Sequence, residues 1–534
     1  MRSLWRSATT LIAAFLLAGT ALPAAAAGSP GGGKGGSATV RTDSGWVRGT
    51  AARDHTLFQG IPYAAPPVGE LRWRSPQPVA PWHGVRQATA PGARCAQVTD
   101  SWGLPGSESE DCLFLNVTVP ASASPARPRP VLVWLHGGGL KKGAGSDYDA
   151  RRLAVRGDMV VVTVNYRLGI LGFFGLPGLA NGGAFGIEDQ QAALRWVARN
   201  AAAFGGDPGN VTLAGESAGS HSVCAQLASP SAAGLFHRVI GQSTSCRMGD
   251  FAAAGFQPLL NVPLWMAPES HDGYGQYLAS LLGCFDPATL LACMRGKTPA
   301  ELLTQLPLSL PGYGNAVLPE DPAKVFAEGR FHRVPVLTGI TRDEGTLFAA
   351  EIMSGLTQEG YETRLAQGFG AKAPAILAEY PAGGHGSPLQ AAAAVIGDLE
   401  WAWPARDTAR LFAEHVPTYS YEFTDRSAPA LYPLPGVRPL ASHGSELPFL
   451  FDVSWDSAPL TAPQRRLGDT MIGYWARFAA TGDPNRPGLP RWERVRAGDA
   501  TPYVQRLDVG PGGVGPYDQD AAHKLDFWDT LTGR

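Results

Sequence analysis

The chain has 534 residues, of which 44% are hydrophobic and 17% are charged. This balance is enough to bury a large core and excludes an intrinsically disordered protein. The formal net charge is only −2, from 44 Lys and Arg against 46 Asp and Glu. Because the sequence offers no basic field, we expect no nucleic-acid partner.

The first 27 residues have the pattern of a secretory signal peptide. Two arginines precede an apolar run over residues 11–17, and four alanines follow at 24–27. The apolar stretch is about a dozen residues, short of the roughly 20 that span a bilayer, so a stable membrane anchor is the weaker alternative. We expect cleavage after Ala26 or Ala27, then a Gly/Ser-rich linker over 28–37 and one secreted domain over 38–534.

Continuous apolar runs in the remaining sequence predict strands that are buried on both faces. They cover residues 130–135, 159–164, 211–214 and 334–339. The segment 187–204 has helical spacing instead. This alternation of strands and helices predicts a doubly wound, mostly parallel sheet.

A run of three glycines, His136-Gly137-Gly138-Gly139, directly follows the first predicted strand. Consecutive glycines allow backbone N–H groups to converge on a developing oxyanion without obstruction by side chains. A plain glycine-rich turn is the alternative reading of this segment when it is taken alone.

The pentapeptide Gly215-Glu216-Ser217-Ala218-Gly219 lies between the third predicted strand and a segment that can continue as a helix, 221–227. A sharp strand-to-helix turn presents one side chain at its tip and leaves no room for Cβ atoms two positions to either side. The pattern is short, so on its own it also fits an ordinary turn. Together with the upstream glycines it matches the nucleophile and oxyanion loop of lipases and esterases, with the N–H of Ala218 completing the hole.

A serine hydroxyl becomes a nucleophile only beside a base that an acid orients. In this fold the acid and then the base follow the serine along the chain. His443 lies in a polar loop of small residues, 441–446, and suits a base. Asp343 and Glu344 both follow the fourth predicted strand, and their positions do not choose between them.

At these residues the chain resembles the type-B carboxylesterase family, the cholinesterase-like and para-nitrobenzyl-esterase-like α/β-hydrolases. The resemblance extends from about Val40 to beyond Trp492. It implies an α/β-hydrolase fold whose helical and loop insertions form a substrate gorge. The blocks that carry it occur in the family's usual order, at residues 58–64, 109–116, 204–208, 215–219, 343–345, 443–446 and 481–485.

The resemblance also implies the site and the reaction. It places the nucleophile at Ser217, the acid at Glu344 and the base at His443, with Asp343 only a neighbour. The oxyanion donors fall on Gly138, Gly139 and Ala218. The implied activity is hydrolysis of small-molecule carboxylic esters through an acyl-enzyme, with no metal or organic cofactor.

Other activities are possible on the same machinery. A lipase, a thioesterase or an amidase would use the same residues, because a fold does not fix a substrate. The alternative from another class is a non-catalytic, cholinesterase-like binding protein. Such relatives lose members of the triad, whereas this chain keeps all three.

Six cysteines in an exported chain favour disulfides over metal ligands, although six cysteines allow 15 connectivities. By resemblance, the family's first disulfide joins Cys95 to Cys112 and its second joins Cys284 to Cys293. Cys224 and Cys246 have no family role and form either a third pair or two buried thiols.

Departures from the family pattern concern the substrate pocket. The residue after the oxyanion glycines is often aromatic in relatives but is Leu140 here, which leaves the nature of the acyl pocket open. Trp102 could hold a quaternary ammonium through a cation–π contact, with simple packing as the alternative. Trp401 and Trp403 either line the acyl side or pack in the core, and Glu216 completes the candidate pocket.

Overall fold

The computed structural model describes residues 36–99, 103–247, 264–304, 310–454 and 458–533. The predicted signal peptide, most of the predicted linker and Trp102 lie outside this part of the chain. The first strand begins at Gly36, ahead of the domain boundary expected at residue 38.

A mostly parallel sheet forms the centre of the fold. Neighbouring strands run in the order β1-β2-β3-β5-β8-β6-β9-β10-β11-β12-β14-β15, with β4 beside β2, and β7 pairs with β13 apart from this sheet. From β8 to β14 each neighbouring pair is parallel. The strands are β1 (Gly36–Arg41), β2 (Trp46–Ala51), β3 (His55–Pro62), β4 (Val85–Gln87), β5 (Phe114–Pro120), β6 (Arg129–Leu135), β7 (Tyr148–Asp149), β8 (Val160–Val164), β9 (Gly206–Glu216), β10 (Arg238–Gln242), β11 (Val336–Thr341), β12 (Thr418–Phe423), β13 (Asp452–Val453), β14 (Val504–Leu507) and β15 (Val514–Tyr517).

Helices flank the sheet. A π-helix, Gly397–Ala402, joins α13 (Pro388–Ile396) to α14 (Trp403–Ala413). The α-helices are α1 (Arg151–Gly157), α2 (Gly169–Phe173), α3 (Phe185–Asn200), α4 (Ala218–Ala228), α5 (Pro268–Leu281), α6 (Leu290–Arg295), α7 (Pro299–Leu303), α8 (Pro322–Ala327), α9 (Gly345–Ile352), α10 (Gln358–Phe369), α11 (Ala373–Glu379), α12 (Ala382–His385), α13 (Pro388–Ile396), α14 (Trp403–Ala413), α15 (Ala462–Thr481), α16 (Gln519–Ala522) and α17 (Leu525–Thr532).

Strand β6 shows why the apolar runs of the sequence became central strands. Val131, Val133 and Leu135 belong to the core on one face of the sheet, whereas Leu132 and Trp134 belong to the core on the other. Since successive side chains of a strand point to opposite faces, a continuous apolar run satisfies both cores at once. The four predicted strands are confirmed as β6, β8, β9 and β11. The predicted helix at 187–204 is confirmed as α3, which begins at Phe185 and ends at Asn200, and its last turn is a 3-10 helix, Ala201–Phe204.

Three disulfides cross-link the described part of the chain. Cys95 pairs with Cys112 and Cys284 with Cys293. Cys224 pairs with Cys246, which decides between the two alternatives that the sequence left open. No helix within the described ranges has both the length and the apolar character to cross a membrane.

The parallel arrangement brings three functional turns to one edge of the sheet. Strands β6, β9 and β11 run in the same direction, so their carboxyl ends meet at the same edge. The glycine run follows β6, Ser217 follows β9, and Glu344 follows β11.

Candidate active site

Ser217 lies at the tip of a tight turn between β9 and α4. Its backbone has φ 54° and ψ −123°, a strained conformation for a residue with a side chain. Close packing explains the glycines on either side, because a Cβ on Gly219 would lie 2.0 Å from the carbonyl oxygen of Leu135. The N–H of Ser217 donates to the carbonyl of Gln242 at 2.9 Å, which anchors the turn to β10. Ser217 is half-buried, so its side chain remains accessible.

The glycine run after β6 lies against this turn. A Cβ on Gly137 would lie only 3.2 Å from the Cβ of Ser217. Gly138 has φ 102°, and a Cβ there would lie 2.3 Å from the carbonyl oxygen of Lys142, so the loop requires glycine. Among the described residues, none accepts a hydrogen bond from the N–H groups of Gly138, Gly139 or Ala218. These three groups are therefore available to an oxyanion.

Two side chains hold the glycine loop in place from outside. Gln97 accepts a hydrogen bond from the N–H of Gly143 and donates to its carbonyl, at 2.9 and 3.0 Å. The hydroxyl of Tyr166 donates to the carbonyl of His136 at 2.6 Å, and the two rings stack. The loop is thus fixed before any substrate arrives, which is what electrostatic stabilisation of a transition state requires.

The structure places Glu344, rather than Asp343, beside His443. The Nδ1 of His443 lies 2.5 Å from Oε2 of Glu344, and Oε1 of the same carboxylate accepts from the N–H of Thr341 at 2.8 Å. Asp343 instead receives two hydrogen bonds from Arg426. The second nitrogen of His443, Nε2, lies 3.2 Å from Oε1 of Glu216. Within the described residues, Ser217 Oγ forms no hydrogen bond to His443.

Glu216 therefore belongs to a buried cluster with the imidazole. Glu216, Glu344 and Glu446 are each about 1% exposed or less, and His443 is 4% exposed. Glu446 accepts a hydrogen bond from the side chain of Gln242 at 3.0 Å. Because three carboxyl groups surround one imidazole, the protonation of each group depends on the charge of the others.

The charges of this cluster shift the pKa values of its members. Burial raises the pKa of Glu216, and the neighbouring carboxylates raise it further, although His443 opposes them. Burial alone would lower the pKa of His443, but the charges of Glu344 and Glu216 outweigh burial and raise it above its usual range. The imidazole thus holds its proton more tightly than a solvent-exposed histidine.

The candidate pocket residues lie in different surroundings. Trp401 stacks on Phe348 with 4.4 Å between ring centroids, and its ring lies 6.2 Å from that of His443. Trp403 is buried in a hydrophobic core formed by residues of α9 to α14 and α17, and its indole N–H donates to Asp529 of α17 at 2.7 Å. Leu140 is buried with φ 58°, and its carbonyl accepts from the N–H of Gly169 at 2.8 Å.

Sequence reasoning missed two residues of the site. Phe348 packs edge-on against His443 at 5.2 Å, and its place one helical turn after Glu344 is a signal that could have revealed it. Glu446 lies three residues after His443, inside the block already recognised around the base.

A mostly parallel sheet with a serine at a strained β9–α4 turn and an acid–imidazole pair at the same edge defines an α/β-hydrolase. The model of the carboxylesterase family matches residues 36–528, and the chain belongs to that family. It is therefore an ester hydrolase.

Several known proteins resemble this chain over most of their length. The cocaine esterase of Oryctolagus cuniculus is 37% identical, over 90% of this chain and 92% of that protein. The acylcarnitine hydrolase of Mus musculus is 35% identical, over 90% and 88%, and the para-nitrobenzyl esterase of Bacillus subtilis (strain 168) is 35% identical, over 84% and 90%. The solved structure of a thermophylic PNB esterase superposes with a TM-score of 0.75 at 31% identity, covering 92% of this chain and 99% of that one.

Proposed function

We propose that this protein is a secreted serine carboxylesterase that hydrolyses small-molecule esters through an acyl-enzyme on Ser217. The observation that carries the proposal is the pairing of Glu344 with His443 at 2.5 Å at the sheet edge where Ser217 stands on its strained turn. The names of three relatives, a cocaine esterase, an acylcarnitine hydrolase and a para-nitrobenzyl esterase, support carboxylic esters as the substrate class.

In the resting site, the raised pKa of His443 favours an imidazolium, with Nε2 3.2 Å from Oε1 of Glu216. Loss of the proton on Nε2 frees this nitrogen to accept the hydroxyl proton of Ser217, and catalytic hydrogen bonds of this kind commonly tighten only when substrate binds. Glu344 keeps the other nitrogen, Nδ1, protonated and stabilises the imidazolium that forms during attack.

The reaction then proceeds through two acyl transfers, first to Ser217 and then to water. Ser217 Oγ attacks the ester carbonyl, His443 takes its proton, and the N–H groups of Gly138, Gly139 and Ala218 bind the oxyanion. His443 returns the proton to the departing alcohol. Water, activated by the same imidazole, releases the carboxylic acid and regenerates the serine.

The nucleophile can be tested directly. A serine-directed organophosphate should add once per chain, on Ser217, and Ser217→Ala should abolish both the adduct and ester hydrolysis. The matched control is Ser122→Ala, since Ser122 is an exposed serine on the turn after β5. An adduct on another serine, or full esterase activity in Ser217→Ala, would refute this assignment.

The export part of the proposal has its own test. The three disulfides suit an oxidising compartment, and the sequence of the first 27 residues supports a cleaved signal peptide. Protein recovered from the culture medium should begin at Ala27 or Gly28. Recovery of only the full-length chain inside cells would contradict export.

A further inference from the structure

A cleft distinct from the candidate active site borders the turn that carries Glu344. It has a volume of about 250 Å³, and its walls come from the turn after β11, helices α12 and α13, the π-helix, the segment 426–440 and the start of α17. Its charged lining residues are Arg342, Asp343, Asp398, Arg426, Arg438 and Lys524. Neither Ser217 nor His443 is among the lining residues.

Both carboxylates of the cleft are already engaged by protein groups. Asp343 receives two hydrogen bonds from Arg426, at 2.7 and 2.8 Å. Asp398 accepts from the hydroxyl of Tyr380 at 2.9 Å and lies 2.5 Å from Nδ1 of His523. Arg426 is therefore paired with Asp343, and Arg342 lies 3.6 Å from Asp398 and 3.7 Å from Glu422. Arg438 and Lys524 are the lining cations that neither carboxylate of the cleft pairs with in the described part of the chain.

Arg438 supplies the positive charge that remains. Its backbone N–H donates to the side chain of Gln390 at 3.0 Å, which fixes the residue at the rim of the cleft. Within the described ranges no carboxylate forms an ion pair with its guanidinium. Lys524 lies over the ring of Tyr380 at 4.4 Å, donates to the backbone carbonyl of Glu379 at 2.5 Å and forms an ion pair with the Glu379 carboxylate at 3.0 Å. The two side chains of that pair are 32% and 41% exposed, so water weakens the attraction.

We propose that this cleft binds a small polycarboxylate through Arg438 and Lys524. A guanidinium presents two parallel N–H groups that match a carboxylate. The two cations belong to separate segments of the chain, so a ligand with at least two carboxylates satisfies both at once. The volume is below the roughly 300–1,000 Å³ of pockets for drug-sized ligands, which restricts the ligand to the size of citrate or succinate.

The cleft is connected to the catalytic turns through Asp343. The N–H of Asp343 donates to the carbonyl of Ala441 at 2.9 Å, and its carboxylate accepts from the N–H of Ala441 at 3.2 Å. Arg438 lies on the segment that leads into this turn and then into His443. A ligand that ties Arg438 to Lys524 therefore constrains the entry to the His443 loop without occupying the place of the ester.

Binding is measured on the purified full-length protein with citrate, succinate, acetate and inorganic phosphate. All buffers contain EDTA, and sodium chloride keeps the ionic strength constant. Calorimetric titration should give a saturable isotherm for citrate, weaker binding of succinate, and no binding of acetate or phosphate. Citrate should also raise the unfolding temperature in a saturable way, because it binds the folded state.

Two variants locate the site. Arg438→Gln and Lys524→Gln should each weaken citrate binding by about tenfold or more, since each removes a charge-assisted hydrogen bond. Arg466→Gln is the matched control, because Arg466 is an exposed arginine of α15 outside the cleft, and its affinity for citrate should equal that of the wild type.

Citrate should change kcat for an ester and leave KM unchanged, because the cleft does not overlap the candidate active site. Three results would overturn the proposal. They are equal citrate affinity in Arg438→Gln and wild type, reproduction of the thermal shift by chloride alone, and competition between citrate and the ester. The calorimetric readout does not depend on Ser217, so failure of the proposed function and failure of this site are distinguishable.

Discussion

Glu216 stands one residue before the proposed nucleophile and lies beside the proposed base. Its carboxylate lies 3.2 Å from Nε2 of His443, and an opposite charge at that distance favours the imidazolium. We predict that Glu216→Gln lowers the pKa of His443 and moves the acid limb of kcat/KM to lower pH by about one unit. The measurement is kcat/KM for a neutral ester between pH 5 and pH 10.

The control for this prediction lies in the same cluster. Glu446 contributes to the raised pKa of His443 less than Glu344 and Glu216 do, so Glu446→Gln should shift the acid limb in the same direction but by less. An acid limb that stays in place, or moves to higher pH, in Glu216→Gln would show that Glu216 does not stabilise the imidazolium.

Glu400 is a residue that opposes folding at neutral pH. It lies in the π-helix, is 6% exposed, and its Oε1 has no hydrogen-bond partner. Burial raises the pKa of Glu400 to about 8. A carboxyl whose pKa is raised on folding destabilises the protein above its unfolded pKa, near 4.3, and this penalty grows until the pH reaches the folded value.

We therefore predict that Glu400→Gln stabilises the protein at pH 7.5 and has almost no effect at pH 4.5. The gain at pH 7.5 should reach at most about 4 kcal/mol, because about three pH units separate it from the unfolded pKa and each unit corresponds to about 1.4 kcal/mol. Urea unfolding at the two pH values measures it. A gain that is the same at both pH values would mean that ionisation of Glu400 is not its cause.

At the scale of elements, one disulfide braces the turn that carries Ser217. Cys224 lies on α4 and Cys246 lies just after β10, where the Gln242 carbonyl accepts from the N–H of Ser217 and the Thr244 hydroxyl donates to the Ser217 carbonyl at 2.8 Å. The bond thus joins the helix after the nucleophile to the segment that holds the nucleophile's own backbone.

We predict that the double variant Cys224→Ser/Cys246→Ser loses about 2–5 kcal/mol of stability and, where it is still folded, at least about tenfold in kcat, because a small displacement of the nucleophile is costly. Cys284→Ser/Cys293→Ser is the matched control, since it removes a disulfide between the loop after α5 and helix α6. It should lose stability and keep kcat. Equal kcat in the two double variants would show that the Cys224–Cys246 disulfide does not position Ser217.

The elements that could be predicted from the sequence are those with a local cause. Continuous apolar runs specified the central strands, and the glycines around Ser217 specified the turn because only they fit its close contacts. The choice between Asp343 and Glu344 had no local cause, since adjacent carboxylates share one sequence environment. It depends on where each side chain points, toward Arg426 or toward His443.

The two candidate tryptophans also show that the sequence alone does not predict where a side chain points. Trp401 and Trp403 are two residues apart across a junction of helices, and residues at that spacing do not share a helix face. One ring accordingly lies near His443, and the other donates to Asp529. Their sequence spacing shows that they diverge, but only the tertiary packing shows which one approaches the base.

At the scale of the whole molecule, His523 fastens the C-terminal helices to the sheet. It follows α16, is 1% exposed, and places Nδ1 2.5 Å from Asp398 of the π-helix and Nε2 3.0 Å from Glu422 of β12. Arg342, in the turn after β11, lies within 3.7 Å of both carboxylates. One buried group of charges therefore joins four distant segments of the chain.

The ionisation of His523 makes this connection dependent on pH. Burial and Arg342 act to lower the pKa of His523, but Glu422 and Asp398 outweigh them and raise it. A histidine whose pKa is raised on folding contributes stability that is complete below its unfolded pKa, near 6.5, and is lost as the pH rises through its folded value. We predict that His523→Gln is destabilised by about 3 kcal/mol or more at pH 6, because it leaves buried carboxylates without their partner.

At pH 9.5 the wild type has itself lost part of the stability that protonated His523 contributes. The stabilities of His523→Gln and wild type should therefore differ less than at pH 6. Calorimetric unfolding temperatures at the two pH values measure the difference. The control is His83→Gln, because His83 is exposed and its loss should change the unfolding temperature little at either pH. If the gap between His523→Gln and wild type is as large at pH 9.5 as at pH 6, His523 joins the segments as a neutral hydrogen-bonding group. The C-terminal helices would then be held to the sheet without a charge on the imidazole.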